Sequence, residues 1–139
     1  IGTARSEAKK RLKNYPTTRA SNRQIYELRC QAAGVTPLRD FTASLCDKPL
    51  LFDMESLNLS GKGLTTLAPF LDLVRMNRTL RSIDVSNNLF RKTDVGLLLD
   101  CLLEHDNCDH LNISGCPNVQ YDLSVLSQIH DLSRRKPQL

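Results

Sequence analysis

The chain has 139 residues, 40% of them apolar and 5% aromatic, with no Trp and a formal net charge of +4. That apolar content suffices for one packed domain, and no run of about 18 apolar residues is present to form a membrane-spanning helix. Charge is unevenly placed: residues 1–23 hold seven basic side chains against Glu7 alone, residues 24–133 hold nine basic against fourteen acidic, and Arg134, Arg135 and Lys136 come after them. A mildly acidic body with basic ends is not a basic nucleic-acid-binding domain.

Residues 1–20 form the first predicted segment. The stretch "ARSEAKKRLKNYPTTRASNR" from Ala4 is polar and nearly acid-free. Alone it lacks the apolar surface to fold, so an extended tail is expected. Lys9, Lys10, Arg11, Lys13 and Arg19 are candidate contacts to RNA phosphates, an acidic protein surface or anionic lipid. Only Tyr15 offers a ring for base stacking. The Arg-rich, acid-poor character resembles the stretch just downstream of a mitochondrial targeting segment. Ile1 rather than Met stands first, so the expectation is a processed mature end or a piece of a longer protein.

Residues 21–52 read as a helical N-terminal cap. Ser21 or Asn22 starts a helix over "RQIYELRCQAAG", which ends at Gly34. A second helix over "TPLRDFTASL" has Thr36 at its N-cap and Pro37 at its first position, with Leu38, Phe41 and Leu45 as its apolar stripe.

Residues 53–133 repeat one line three times: "MESLNLSGKGL", "LRSIDVSNNLF" and "CDHLNISGCPN". The apolar pairs Leu57/Leu59, Ile83/Val85 and Leu111/Ile113 align at spacings of 26 and 28 residues. Alternation puts each pair on one face of a short strand. The slot of Asn88 and Cys116 turns the chain away from the strand, and an inward Asn or Cys there satisfies turn backbone groups. Lys62 holds that slot in the first unit and cannot accept a hydrogen bond, which marks an irregular, terminal unit. A helix is expected after each strand. The first has Thr65 or Thr66 as cap and Leu67, Phe70, Leu71 and Val74 inward. The second has Thr93 or Asp94 as cap and Leu97, Leu98, Cys101 and Leu102 inward. The third has either Leu123, Leu126 and Ile129 or Val125, Ile129 and Leu132 inward. Residues 134–139 are read as a basic C-terminal tail.

This pattern resembles the ribonuclease-inhibitor-like class of leucine-rich repeat proteins. Asn77, Thr79, Leu80, Ile83, Val85, Ser86 and Asn88 in "MNRTLRSIDVSNN" carry the resemblance most specifically. It implies an α/β fold: a short leucine-rich repeat solenoid of about three strand–helix repeats with a parallel sheet, behind the cap and tail. Tyr26, Cys30, Gly34, Val35 and Pro37 also resemble a lead-in to the repeat domains of ciliary and flagellar proteins.

Residues between the apolar ones point onto the concave sheet face. Three columns are expected there: Ser56, Ser82 and His110; Asn58, Asp84 and Asn112; Ser60, Ser86 and Ser114. This is the candidate protein-binding face, although it lacks the Trp, Tyr and Arg favoured at binding hot spots. Three strands span only roughly 10 Å, so the tail, open ends or loops are expected to share a tight contact.

No set of residues reads as catalytic, and no metal or other cofactor is expected. Cys108, His110 and Cys116 hold an apolar, an outward and a turn position, so they do not converge as metal ligands. His105, four residues after Cys101, reads as a surface imidazole, and His130 as a surface or capping group. "SGKG" at Ser60–Gly63 lacks the spacing of a phosphate loop. Five cysteines without a paired framework point to a reducing, intracellular compartment. The expected function is a non-catalytic protein–protein interaction module, a small adaptor or structural subunit of a large intracellular assembly such as a flagellar or cytoskeletal one. The alternative is a subunit of a mitochondrial complex or ribonucleoprotein with the basic tail on nucleic acid.

Overall fold

The computed structural model describes residues 20–105, 107–119 and 122–135. The tail residues Lys9, Lys10, Arg11, Lys13 and Arg19 lie outside them. The described residues form a mixed α/β unit of five helices and a three-stranded parallel sheet. In chain order these are α1 (Asn22–Ala33), α2 (Arg39–Ser44), β1 (Ser56–Asn58), α3 (Ala68–Met76), β2 (Ser82–Asp84), α4 (Lys92–Leu103), β3 (His110–Asn112) and α5 (Leu123–Arg135). No helix among the described residues is long and apolar enough to cross a membrane.

The sheet order is β1-β2-β3, with Leu57 opposite Ile83 and Ile83 opposite Leu111. Pairing continues past the strand ends: Leu59 and Gly61 N–H donate to the Asp84 and Ser86 carbonyls, and Val85 and Asn87 N–H donate to those of Asn112 and Ser114. Leu57, Leu59, Ile83 and Val85 are buried in one core with Phe70, Leu73, Leu98 and Leu102 from the helices. Alternation thus works as expected: the odd members of each line go inward because only that face is covered.

The chain turns out of each strand through a left-handed residue, Gly61, Asn87 or Gly115, at φ of 65°, 56° and 67°. These three positions fall 26 and 28 residues apart, like the leucines. Glycine tolerates this conformation where a Cβ costs energy, and Asn is the side chain that best replaces it. Gly115 carries a second constraint, since a Cβ there would lie 2.1 Å from Asn87 Oδ1, whereas at Gly61 nothing lies within 4 Å. Gly61→Ala is therefore expected to cost only the backbone term, about 1–2 kcal/mol. Gly115→Ala is expected to cost at least about 1 kcal/mol more, because Asn87 must move. Urea denaturation of the two variants checks the order.

Helix starts differ from the sequence expectations by a few residues. Ser21 does cap α1, accepting from Gln24 N–H at 3.2 Å while Gln24 Oε1 accepts from Ser21 N–H at 3.1 Å, and Gly34 closes the helix at φ 69°. α2 starts after Leu38, not after Thr36, because the Tyr26 hydroxyl takes the Leu38 N–H at 2.9 Å and holds that stretch extended. α3 begins after Leu67 rather than Thr65 or Thr66. Thr66 Oγ1 still accepts from Ala68 N–H at 3.2 Å, and Asp94 Oδ1 accepts from Leu67 N–H at 3.4 Å. In α4 the N-cap is Arg91, not Thr93 or Asp94. Asp94 stands in the first turn and reaches back to Arg91 N–H at 3.2 Å.

Two helix stripes are also corrected. α4 buries Val95, Leu98, Leu99 and Leu102, while Leu97 is exposed and Cys101 half-buried. α5 buries Val125 and Leu132, the second of the two expected stripes, and leaves Leu123 and Leu126 exposed. Arg134 and Arg135, assigned to a C-terminal tail, form the last turn of α5. Their charges there suit the negative end of the helix.

Candidate functional site

The strand register brings the three predicted columns together: Ser56, Ser82 and His110 are neighbours, as are Asn58, Asp84 and Asn112. Hydrogen bonding then divides the columns. Asn58 Oδ1 accepts from Ser60 N–H at 3.1 Å, Asp84 Oδ1 from Ser86 N–H at 3.0 Å and Asn112 Oδ1 from Ser114 N–H at 3.0 Å. These are turns in which a short side chain mimics the backbone two residues on. The Ser86 and Ser114 hydroxyls donate to the same carboxylate or amide oxygens, and the Ser60 and Ser86 hydroxyls meet at 2.9 Å. Two of the three columns therefore spend their polar atoms on the strand-to-turn joint. Ser86, expected on display, is buried, because its hydroxyl sits between Asp84 and Ser60.

The uncommitted column is Ser56, Ser82 and His110. Beside it stands a second column that was not among the sequence expectations: Glu55, Arg81 and Asp109, each just before its strand and each exposed. Their backbones are bonded in series, Arg81 N–H to the Glu55 carbonyl at 2.9 Å and Asp109 N–H to the Arg81 carbonyl at 3.0 Å. Strands lie about 4.8 Å apart, so a fixed row of minus, plus and minus charge lines the sheet's leading edge. The 26- and 28-residue spacing already in the sequence carries this signal.

Below this face lies the joint between units, where Asn88 is buried. Its Nδ2 donates to the carbonyls of Leu59, Val85 and Ser86 at 2.7, 3.1 and 3.0 Å, and its Oδ1 accepts from Lys62 and Leu64 N–H at 3.2 and 3.0 Å. The slot acts as expected, with one addition: its side chain serves the preceding unit. Cys116 does the same, its Sγ–H donating to the Val85 carbonyl at 3.5 Å. Lys62 departs from the pattern because no earlier turn needs its service.

His105 is not the surface imidazole that its sequence position suggests. It is 1% exposed, with Nε2 3.0 Å from the Asn77 carbonyl and Nδ1 accepting from Cys108 N–H at 3.2 Å. A carbonyl only accepts, so Nε2 carries the proton. The residue links the C-terminal ends of α3 and α4, whereas Asn77, 28 residues earlier, reaches the first residue of α1, Asn22. Burial pushes the Cys101 thiol up, and on α1 it does the same to Cys30, whose neighbour Tyr26 is pushed up to about 12. Cys108, His110 and Cys116 do not converge. Both thiols are buried against backbone carbonyls while the imidazole is exposed.

A cleft of about 190 Å³ opens between the cap and the first strand–helix unit, lined by Tyr26, Cys30, Leu38, Leu64, Pro69 and Phe70 with Thr36, Thr65 and Thr66 at its polar positions. It is apolar and distant in chemistry from the polar strand face. No family model, no curated protein and no solved structure matches this chain.

Proposed function

We propose that this chain is a leucine-rich repeat module that binds other proteins, an adaptor or structural subunit of a larger assembly, with no chemistry of its own. The observation that carries this reading is the uncommitted in-register column on the outer sheet face together with the charged column at its leading edge. Ser56, Ser82 and His110 stand in register there and their side chains make no hydrogen bond among the described residues, and just before the strands the exposed Glu55, Arg81 and Asp109 follow one another along the backbone bonding as alternating charges. Their backbone is already bonded strand to strand, so contact orders only the side chains, and alternating charge favours specificity for a partner of complementary charge. The unit spacing, the buried leucine positions and the turn-serving Asn88 support the repeat assignment.

The test is capture from a cell extract with mass spectrometry, using the unaltered chain, an Arg81→Glu/Ser82→Glu/His110→Glu variant and a Ser127→Arg control on the exposed side of α5. All three altered sheet positions are exposed or half-exposed, so folding is expected to survive. Circular dichroism and melting check this. Partners retained by the control and depleted at least about tenfold by the triple variant are the expected result. Equal recovery of every protein by all three chains rejects the outer sheet face as the binding surface.

A further inference from the structure

The three strand–helix units act as controls for one another. Leu57, Leu59, Ile83 and Val85 are all 2% exposed or less. Leu111 and Ile113, at the same positions in the third unit, are only half-buried. β1 and β3 are both edge strands, but only β3 leaves its core-facing side chains half-buried. The backbone agrees. The first two units pass their N–H groups on to the next strand, through Leu59 and Gly61 and then Val85 and Asn87, whereas the matching Ile113 and Gly115 N–H groups meet no acceptor among the described residues.

The helix layer ends in the same way. Gln128 of α5 faces α4, its Nε2 donating to the Gly96 carbonyl at 3.0 Å and Asp100 Oδ1 at 2.9 Å. Leu126 lies two residues back, about 200° round the helix, and so faces away from α4. It shares that side with Ile129, His130 and Ser133, and it is 49% exposed while nearby Leu123 is 81% exposed.

We propose that this edge joins two copies of the chain about a two-fold axis normal to the sheet, with β3 antiparallel to β3 and α5 antiparallel to α5 of the second copy. Three features select a second copy as the occupant. An antiparallel pair of identical edges satisfies the donors and acceptors of both at once and continues the inter-strand bonding already present in the chain. The same axis sets Leu126 against Ile129 of the second copy, twice. Charge favours this direction: Arg134 and Arg135 end α5 and Asp122, held only loosely at 3.9 Å by Lys92, stands beside its start, so antiparallel helices bring opposite charges together whereas parallel ones would set the two arginine ends side by side. One strand edge and one helix side fall short of the roughly 800 Å² per partner of a standard interface, so the dimer is weak and its population depends on concentration.

Sedimentation velocity of the full chain from about 5 to about 500 µM is the experiment. A reversible monomer–dimer equilibrium is expected. Leu126→Asp is expected to weaken it at least about tenfold, and Arg134→Glu/Arg135→Glu to weaken it mainly at low salt. Leu97→Asp, an equally exposed leucine on α4 (48%), is expected to leave it unchanged. All variants are first shown to melt like the parent. A monomer across the whole range, which would leave the edge to some other segment or protein, overturns the proposal. So does a dimer indifferent to Leu126→Asp, or an open-ended series of larger species.

Discussion

Asn88→Ala is expected to cost about 3–5 kcal/mol, a fifth or more of the stability of an ordinary domain. The two amide N–H groups of Asn88 are shared among the carbonyls of Leu59, Val85 and Ser86, its Oδ1 accepts from Lys62 and Leu64 N–H, and all lie at the joint of the first two strand–helix units. Truncation strands those groups where water does not replace the amide, so the cost is that of unpaired buried polar atoms rather than of the bonds alone. Two further variants separate the halves of this role. Asn88→Cys copies the third unit, where Cys116 donates to a carbonyl. It is expected to recover part of the loss, since a thiol donates weakly but accepts poorly from Lys62 and Leu64 N–H. Asn88→Asp keeps the acceptor and turns the donor into a charged oxygen facing three carbonyls. Its carboxyl is then favoured in the neutral, donating form, so its folded pKa is raised above the unfolded value. This variant is therefore most stable at low pH and loses stability as pH rises through the raised pKa, whereas the Ala variant has no such dependence from this site. Urea denaturation at two pH values distinguishes the three. Equal stability of Asn88→Ala and the parent contradicts the joint described above.

What the sequence made legible, and what it did not, divides along the range of the interactions. Alternation is a local property, so Leu57, Ile83 and Leu111 reveal the strands, their inward faces and their register. The turn-serving nature of Asn88 is likewise legible, because few roles suit an amide three residues past the last inward strand residue, Val85, and two before the apolar Phe90. Its direction of service is not, since that depends on which neighbouring unit presents free backbone groups. His105 shows the same limit. Placed on a helix four residues after Cys101 it reads as a surface imidazole, and only the stacking of one helix end on another buries it against the Asn77 carbonyl. On the outer face, the sequence places the columns correctly but not their use. Asn58, Asp84 and Asn112 look displayed until their turns show that Ser60, Ser86 and Ser114 consume their oxygens. The charged column of Glu55, Arg81 and Asp109 escaped for another reason: it lies one residue before the strands, where the alternating pattern has not yet begun. For α5, two apolar stripes coexist in the sequence because one faces the core and the other faces the open edge.

Asn77→Ala is expected to loosen the cap from the strand–helix units, at a cost of about 2–4 kcal/mol. Asn77 is fully buried. Its Nδ2 donates to Asn22 Oδ1 and to the Leu73 carbonyl, both at 2.8 Å, and its Oδ1 accepts from Asn22 Nδ2 at 3.1 Å and from Met54 N–H at 3.0 Å. The Met54 N–H and the Leu73 carbonyl fix which way the amide points, because each accepts only one of its two ends as a partner. The Asn22–Asn77 pair is therefore an oriented clasp between α1 and the first unit, 55 residues apart in sequence. Asn22→Ala removes only the clasp, while Asn77→Ala removes the clasp and strands Met54 N–H as well. The second is expected to be the more damaging. The double variant is expected to be little worse than Asn77→Ala alone, giving a coupling energy of about 1–2 kcal/mol between the two sites. Simple addition of the two losses would mean that the amides do not act on each other. Amide hydrogen exchange gives the spatial half of the test. Loss of the clasp should speed exchange in α1, which meets the rest of the fold chiefly through α3, before it speeds exchange in β2, which is paired on both sides.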